Sequence, residues 1–467
     1  MKLTKALRST FIVALIAPLS ALAADTSVKE FNPINYGAKA DGRTDDAVAI
    51  QRAIDACTLA GGGQVILPVG KTFICGPIEL KSNVDLHLET GSRLKANPDK
   101  SIYNKSAFFA NRGEGMMWIY TDAEKGVENL SITGKGTIDG SGVSFMGKEL
   151  DDSYELLPTT TFDPRPHVLS LFKVKKLIIR DVNICNSAYW TVHLIGCYDA
   201  TIDGISLLND LKIRNCDGID VDHSRKVRIA NCLIEAGDDC ICLKNRREYE
   251  AYGPCQDIVV TNCVMTSRSC AIKIGSENMD EISGVLFDNC IIRDSNRGLG
   301  IQNRDEGTVK NVVFSNMIVD CKFNSEVWWG ESEPIYVTSY PRAVGNHKDA
   351  GWRFPKGATK GACGEVSDIY FNNIKCYTEN GCFFGGDVKG KVHDIYLTNV
   401  DIVFRKKTDF AGGRYDRRPC DGDGFVNDKA YGFYIDKNTD GITLSGCQVR
   451  TEKSFPGERF GGESNTH

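Results

Sequence analysis

The strongest constraint on the fold is a short pattern that recurs from Val174 to Val449. Val174-Lys-Lys-Leu-Ile-Ile-Arg-Asp-Val-Asn-Ile184 is followed by Ala200-Thr-Ile-Asp-Gly-Ile-Ser-Leu207 and Val227-Arg-Ile-Ala-Asn-Cys-Leu-Ile234. Ile258-Val-Val-Thr-Asn-Cys-Val-Met265, Val285-Leu-Phe-Asp-Asn-Cys-Ile-Ile292 and Val312-Val-Phe-Ser-Asn-Met-Ile-Val319 continue it, and Ile442-Thr-Leu-Ser-Gly-Cys-Gln-Val449 is the last clear copy. In each copy apolar and polar residues alternate, then an Asn, Asp or Gly interrupts, then a second short alternating run follows. Alternation at period two describes a strand, and the interrupting residues tolerate a left-handed turn. Copies lie about 23–31 residues apart, the spacing of a solenoid, and helical periodicity is absent from them. The fold class is therefore all-β: a right-handed parallel β-helix in which the recurring Asn predicts a ladder of stacked side-chain amides.

A coil has two open ends that must be capped. A helix from about Asp45 to Ala60 supplies the N-terminal cap, with Ala47, Ile50, Ile54 and Cys57 on one face and Gly61-Gly-Gly63 to stop it. Two insertions interrupt the later repeats, about Phe323 to Gly361 and Phe404 to Ala430. The first carries Trp328, Trp329, Tyr336, Tyr340 and Trp352, suited to sugar stacking or to a local core. The second carries Arg405, Lys406, Lys407, Arg414, Arg417 and Arg418, which would suit an anionic ligand or simply face solvent. The polar tail after Phe455 is expected to fray.

Residues 1–23 read as a signal peptide: Lys2, Lys5 and Arg8, an apolar run from Phe11 to Leu22, and Ala21-Leu-Ala23 as cleavage site. The mature chain, 24–467, is then a single β-helix domain, secreted or periplasmic. A net charge of −5 without a basic block supports neither nucleic-acid nor membrane binding. A monomer without cofactor is expected. Eighteen cysteines in an exported chain suggest disulfides, but Cys232, Cys263, Cys290 and Cys447 alternate with Val182, Ile205, Met317, Ile374 and Val400 at one repeat position. There cysteine acts as a small buried hydrophobe. Bridges among Cys57, Cys75, Cys255, Cys363, Cys382 and Cys420 stay open.

Chemistry enters where the repeats turn acidic. Aligning Asn215-Cys-Asp-Gly-Ile-Asp-Val-Asp222 with Gly237-Asp-Asp-Cys-Ile-Cys-Leu-Lys244 stacks Asp217 over Asp239, with Asp238 beside them. Three carboxylates then converge on one surface, which is costly for like charges. A glycosidase needs such a group, one carboxyl protonated as acid and another ionised to activate water. The alternative is that they end strands or bind calcium. No His or Cys beside them has ligand spacing, so no metal is expected.

The chain resembles glycoside hydrolase family 28, the polygalacturonase and rhamnogalacturonan hydrolase family. The resemblance rests on Asn35-Tyr-Gly-Ala-Lys-Ala-Asp-Gly-Arg-Thr-Asp-Asp46, Arg165-Pro-His167, Asn186-Ser-Ala-Tyr-Trp-Thr-Val-His193, Asn215-Cys-Asp217 and Gly237-Asp-Asp239. It implies a pectin-lyase-like β-helix and inverting hydrolysis of a pectic polysaccharide or oligosaccharide. Asp238 would be the proton donor, Asp217 and Asp239 would hold and deprotonate water, and Asn215 and His193 would contact substrate. Inverting enzymes keep acid and base about 6.5–9.5 Å apart, which neighbouring coils plus a lateral offset should supply. Two motifs of the family are replaced, Gly-His-Gly by Ser269-Cys-Ala271 and Arg-Ile-Lys by Gly300-Ile-Gln302. Lys273 shares the column of Gly300, and Arg297 that of Asp217, Asp239 and Cys270. Both are expected to restore the lost positive charge for an acidic sugar, the alternative being ion pairs with the aspartates or Glu277. Arg304 would join the same rim. Competing readings are a pectate-lyase-type eliminase on this fold and a non-catalytic carbohydrate-binding β-helix.

Overall fold

The computed structural model describes residues 28–108, 115–158, 164–342 and 362–466. The expected signal peptide, residues 1–23, and Trp352 lie outside them. Twelve parallel strands stack in chain order into one face of a coil: β1 Ile78–Leu80, β2 Met116–Thr121, β3 Pro166–Phe172, β4 Val192–Ile195, β5 Ile219–Asp222, β6 Ile241–Asn245, β7 Cys270–Asn278, β8 Arg297–Asn303, β9 Ile335–Ser339, β10 Cys382–Gly386, β11 Ala430–Ile435 and β12 Phe460–Ser464. The repeats found in the sequence form the remaining faces as one continuous 23-stranded sheet. Parallel crossovers of this kind are right-handed.

Each turn residue of the repeat adopts the predicted left-handed conformation, with Asn231, Asn262, Asn289, Asn316, Asn373 and Asn399 at φ of 53–58°. Their amides form the expected ladder. Asn262 Nδ2 donates to Asn231 Oδ1 at 3.2 Å, Asn289 to Asn262 at 2.7 Å, and Asn373 to Asn316 at 2.8 Å. Between Asn289 and Asn316 the ladder is interrupted, and Asn316 donates instead to Asp288 Oδ1. Inside the coil the apolar positions close a dry core that includes a stack of Phe287, Phe314 and Phe371 with centroids 5.0 and 4.9 Å apart.

The N-terminal cap is helix α1, Ala47–Leu59, whose Ala49, Ile50, Ala53, Ile54 and Cys57 are buried against the first coils. At the other end the sequence expectation fails. The tail does not fray: β12 pairs in parallel with β11, Ala430 opposite Phe460 and Phe433 opposite Ser464. Backbone groups make that pairing, so a polar composition did not reveal it. The insertions are held by ion pairs: Arg405 to Asp320 (2.6 Å), Lys406 to Glu379 (3.1 Å), Lys407 to Asp294 and Asp320 (2.8 and 2.7 Å), Arg414 to Glu331 (2.6 Å) and Arg418 to Asp416 (2.9 Å). Arg405, Lys406 and Lys407 thus tie the second insertion to the coil, Arg414 joins it to the first, and Arg418 braces the second from within.

All eighteen cysteines are free thiols, so none of the six residues left open above is bridged. Cys232, Cys263 and Cys290 are buried at their repeat position. Cys263→Val should therefore cost less than about 1.5 kcal/mol, as a near-isosteric apolar exchange does, read from the denaturant midpoint. Ser would lose apolar burial, although the carbonyl of Thr261, 3.3 Å from the thiol, offers its hydroxyl an acceptor. Mass spectrometry of the alkylated unfolded chain should find these three thiols unpaired. Native disulfides among them would refute the core reading.

Candidate active site

The site forms where β5 and β6 begin. Asn215 takes a left-handed turn (φ 55°) that delivers Asp217 just ahead of β5. Gly218 N–H donates to the Asp239 carbonyl at 2.8 Å, locking one coil over the next. Gly237 must be glycine, because a Cβ there would lie 2.2 Å from the Ile213 carbonyl oxygen. Ile219 pairs with Ile241, Ile241 with Ile272, and Cys270 with Arg297. Asp217, Asp239, Cys270 and Arg297 thus share one column, and Lys273 faces Gly300 in the next, as the repeat alignment predicts.

Asp217, Asp238 and Asp239 are buried, and one oxygen of each lies within 4.8 Å of the others. That is closer than the separation of about 6.5–9.5 Å expected between acid and base. The three line a pocket with Asn215, Lys244, Lys273 and Glu277, flanked by Trp190, Trp329 and Tyr336. Burial, with the Asp239 charge beside it, pushes the Asp238 carboxyl up to about 7. Burial and the neighbouring Asp220 and Asp238 hold Asp217 well above the usual carboxylate range. Asp239 has its counter-charge in place, with Lys273 Nζ 2.7 Å from its Oδ2. Burial opposes the Lys273 ammonium, but Asp239 outweighs it and the amine stays above its ordinary value. Three such carboxylates could also surround a hard cation; here Lys273 and Lys244 bring two positive charges to them.

The remaining expected contacts fall differently. Asn215 lines the pocket. Arg297 lines it too, but its guanidinium is committed elsewhere. Nε donates to Glu333 at 3.1 Å, Nη2 to the Asp416 carbonyl at 3.2 Å, and the plane lies 3.9 Å over Tyr336. The ion-pair alternative thus holds for Lys273, whereas Arg297 pairs with neither the aspartates nor Glu277 but with Glu333 and Asp416, in insertions that no repeat alignment reaches. His193 is not at the surface. It is buried in register with Asp220, bonds Asp222 at 3.2 Å, and packs edge-on beneath Trp190 with centroids 4.8 Å apart. Arg304 is not on the rim either. Its guanidinium donates to the carbonyls of Asn303, Pro419 and Arg417 and to the hydroxyls of Thr338 and Tyr336. Of the insertion aromatics, Trp329 and Tyr336 line the pocket, while Tyr336 also stacks on Phe383 in a cluster with Tyr340 and Tyr415. Sequence reasoning did not place Lys244, Glu277 and Trp190 in the pocket wall. Lys244 stands in the aligned stretch, over Asp222, but alignment alone gives no distance to Asp217.

Among known proteins, the model of the "Glycosyl hydrolases family 28" matches residues 63–323. A "Probable polygalacturonase" of Vitis vinifera is 29% identical over 303 residues, 61% of this chain and 59% of that protein. The match thus spans about three-fifths of that relative. "Rhamnogalacturonase A" of Emericella nidulans is 26% identical over 379 residues, 78% of this chain and 67% of the relative. Among solved structures, a hyperthermoactive exopolygalacturonase from Thermotoga maritima superposes with a TM-score of 0.62 at 20% identity, covering 86% of this chain and 95% of the other. At that identity the likeness speaks for the fold.

Proposed function

The chain belongs to the glycosyl hydrolases family 28, and from that premise we propose that it hydrolyses α-linked, galacturonic-acid-containing pectic chains with inversion at the anomeric carbon. The observation that carries this reading is the convergence of Asp217, Asp238 and Asp239 on one buried pocket wall. Asp238, kept protonated near neutrality, gives its proton to the glycosidic oxygen as the bond to the anomeric carbon breaks. Asp217 and Asp239 hold the water that attacks that carbon, and one of them takes its proton. Lys273, 2.7 Å from Asp239 Oδ2, holds that carboxylate in place for this task. Trp329 and Pro419, brought by the two insertions, line the pocket. That supports removal of sugars from a chain end, by an exo-polygalacturonase or a rhamnogalacturonan-directed enzyme. The leader supports export to the periplasm or beyond.

A panel of pectic substrates tests this. Reducing ends should appear without the ultraviolet absorbance of an unsaturated uronate. That absorbance would establish the eliminase, and binding without cleavage the non-catalytic β-helix. One observation favours a second reading. Oxygens within 4.8 Å of one another fit the roughly 5–5.5 Å separation of retaining enzymes, in which a carboxylate attacks directly.

Lys273 faces the pocket with protons beyond the one given to Asp239, so it also suits a substrate carboxylate. No longer side chain stands opposite, since a Cβ at Gly300 would lie 2.7 Å from Cys270 Sγ. Lys273→Met should lower kcat/KM on an acidic substrate by an extra factor corresponding to about 1.5–3 kcal/mol relative to its methyl ester. Equal losses on both would confine Lys273 to holding Asp239.

A further inference from the structure

Lys244 belongs to no motif above, yet it stands at the centre of the charged wall. It projects from β6 with only 4% of its side chain exposed, and it lines the pocket. Its ammonium lies 3.3 Å from Asp220, 3.8 Å from Asp217 and 3.9 Å from Glu277, and 4.4 Å over the ring of Trp190. Three carboxylates and an aromatic face therefore enclose one cation. Glu277 is itself fixed by Arg246 at 3.0 Å, which anchors the cage from behind.

We infer that Lys244 is a positioning residue: the cation that counters the acidic neighbours of Asp217 and keeps its carboxylate aimed at the attacking water. The inference rests on the role proposed for Asp217. Within its own coil Asp217 faces Asp220, and from the next coil Asp238, Asp239 and Lys244. One coil further on, Lys273 is taken by Asp239, and Cys270 is neutral. Every acidic neighbour favours a protonated Asp217, as burial does, and Lys244 is the principal opposing charge. Asp220 competes for the same cation. Both its oxygens are buried without a hydrogen-bond partner among the described residues, and Lys244 is its nearest counter-charge. A cation shared between two acids divides its effect between them, so removing either member shifts the other in a defined direction.

The test is a pair of variants whose effects have opposite signs. Lys244→Met should lower kcat/KM and move the acid limb of its pH profile upward by about 1–3 units, the effect of losing an opposite charge at this range. Lys244→Arg should return most of that shift. Asp220→Asn should move the limb downward, because the cation then serves Asp217 undivided. Lower activity with an unmoved limb in folded Lys244→Met, or shifts of the same sign in both variants, would overturn the inference. Full activity of Asp217→Asn would instead remove the premise that Asp217 handles the water. Thermal melts of each variant separate loss of folding from loss of charge.

Discussion

Asp238→Asn should leave a folded protein that still binds substrate but turns over about 10²–10⁴-fold more slowly, the usual contribution of general acid catalysis. The side chain keeps its size, and its main-chain carbonyl still accepts the 2.6 Å bond from Ser267 Oγ. What goes is the proton. The wild-type profile should carry the same signature. With the Asp238 carboxyl pushed up to about 7, the protonated fraction falls as pH rises through that value, so activity declines on the alkaline side. The variant's residual rate should lose that limb. Substantial hydrolysis by a folded Asp238→Asn protein would remove Asp238 from the acid's role.

The largest effect on stability should come from Arg297→Met. Arg297 is 4% exposed and Glu333 fully buried, and their pair joins β8 to the first insertion while the Asp416 carbonyl ties in the second. Such pairs add little relative to an apolar replacement of both partners, but removing one strands the other. The expected cost is about 3–5 kcal/mol, measured by denaturant unfolding. Activity should fall as well, because Trp329 and Pro419 belong to the segments this pair fastens. Arg297→Met with Glu333→Gln should recover part of the loss, since no buried charge is then left alone. A cost of about 1 kcal/mol or less, typical of an exposed pair, would contradict the anchoring role.

These two residues also show what the sequence can and cannot convey. Period-two alternation and the Asn turns fix the register of every coil, so the column of Asp217, Asp239, Cys270 and Arg297 is legible in the order of the residues alone. Register says which residues share a column and nothing about what covers them. Arg297 falls in the column expected of it but has a different partner, because Glu333 and Asp416 come from insertions without a repeat. His193 and Arg304 point outward from the coil, as their strand positions imply, but Trp190 covers the first and the second insertion caps the other. The insertion aromatics divide for the same reason. Lys244 gives no signal in the sequence because its importance lies in a diagonal distance between columns, which a one-dimensional alignment does not carry.

The proposed catalysis divides the labour between Asp238 as acid and Asp217 with Asp239 as holders of an attacking water. It is tested most directly by the anomeric configuration of the first sugar released, followed by proton NMR before mutarotation. Water attacking from the face opposite the leaving group turns an α-linked substrate into a β-product, and the β-anomer should appear first. An α-anomer as first product would mean that a carboxylate attacked the anomeric carbon itself, contradicting the roles given to Asp217 and Asp239.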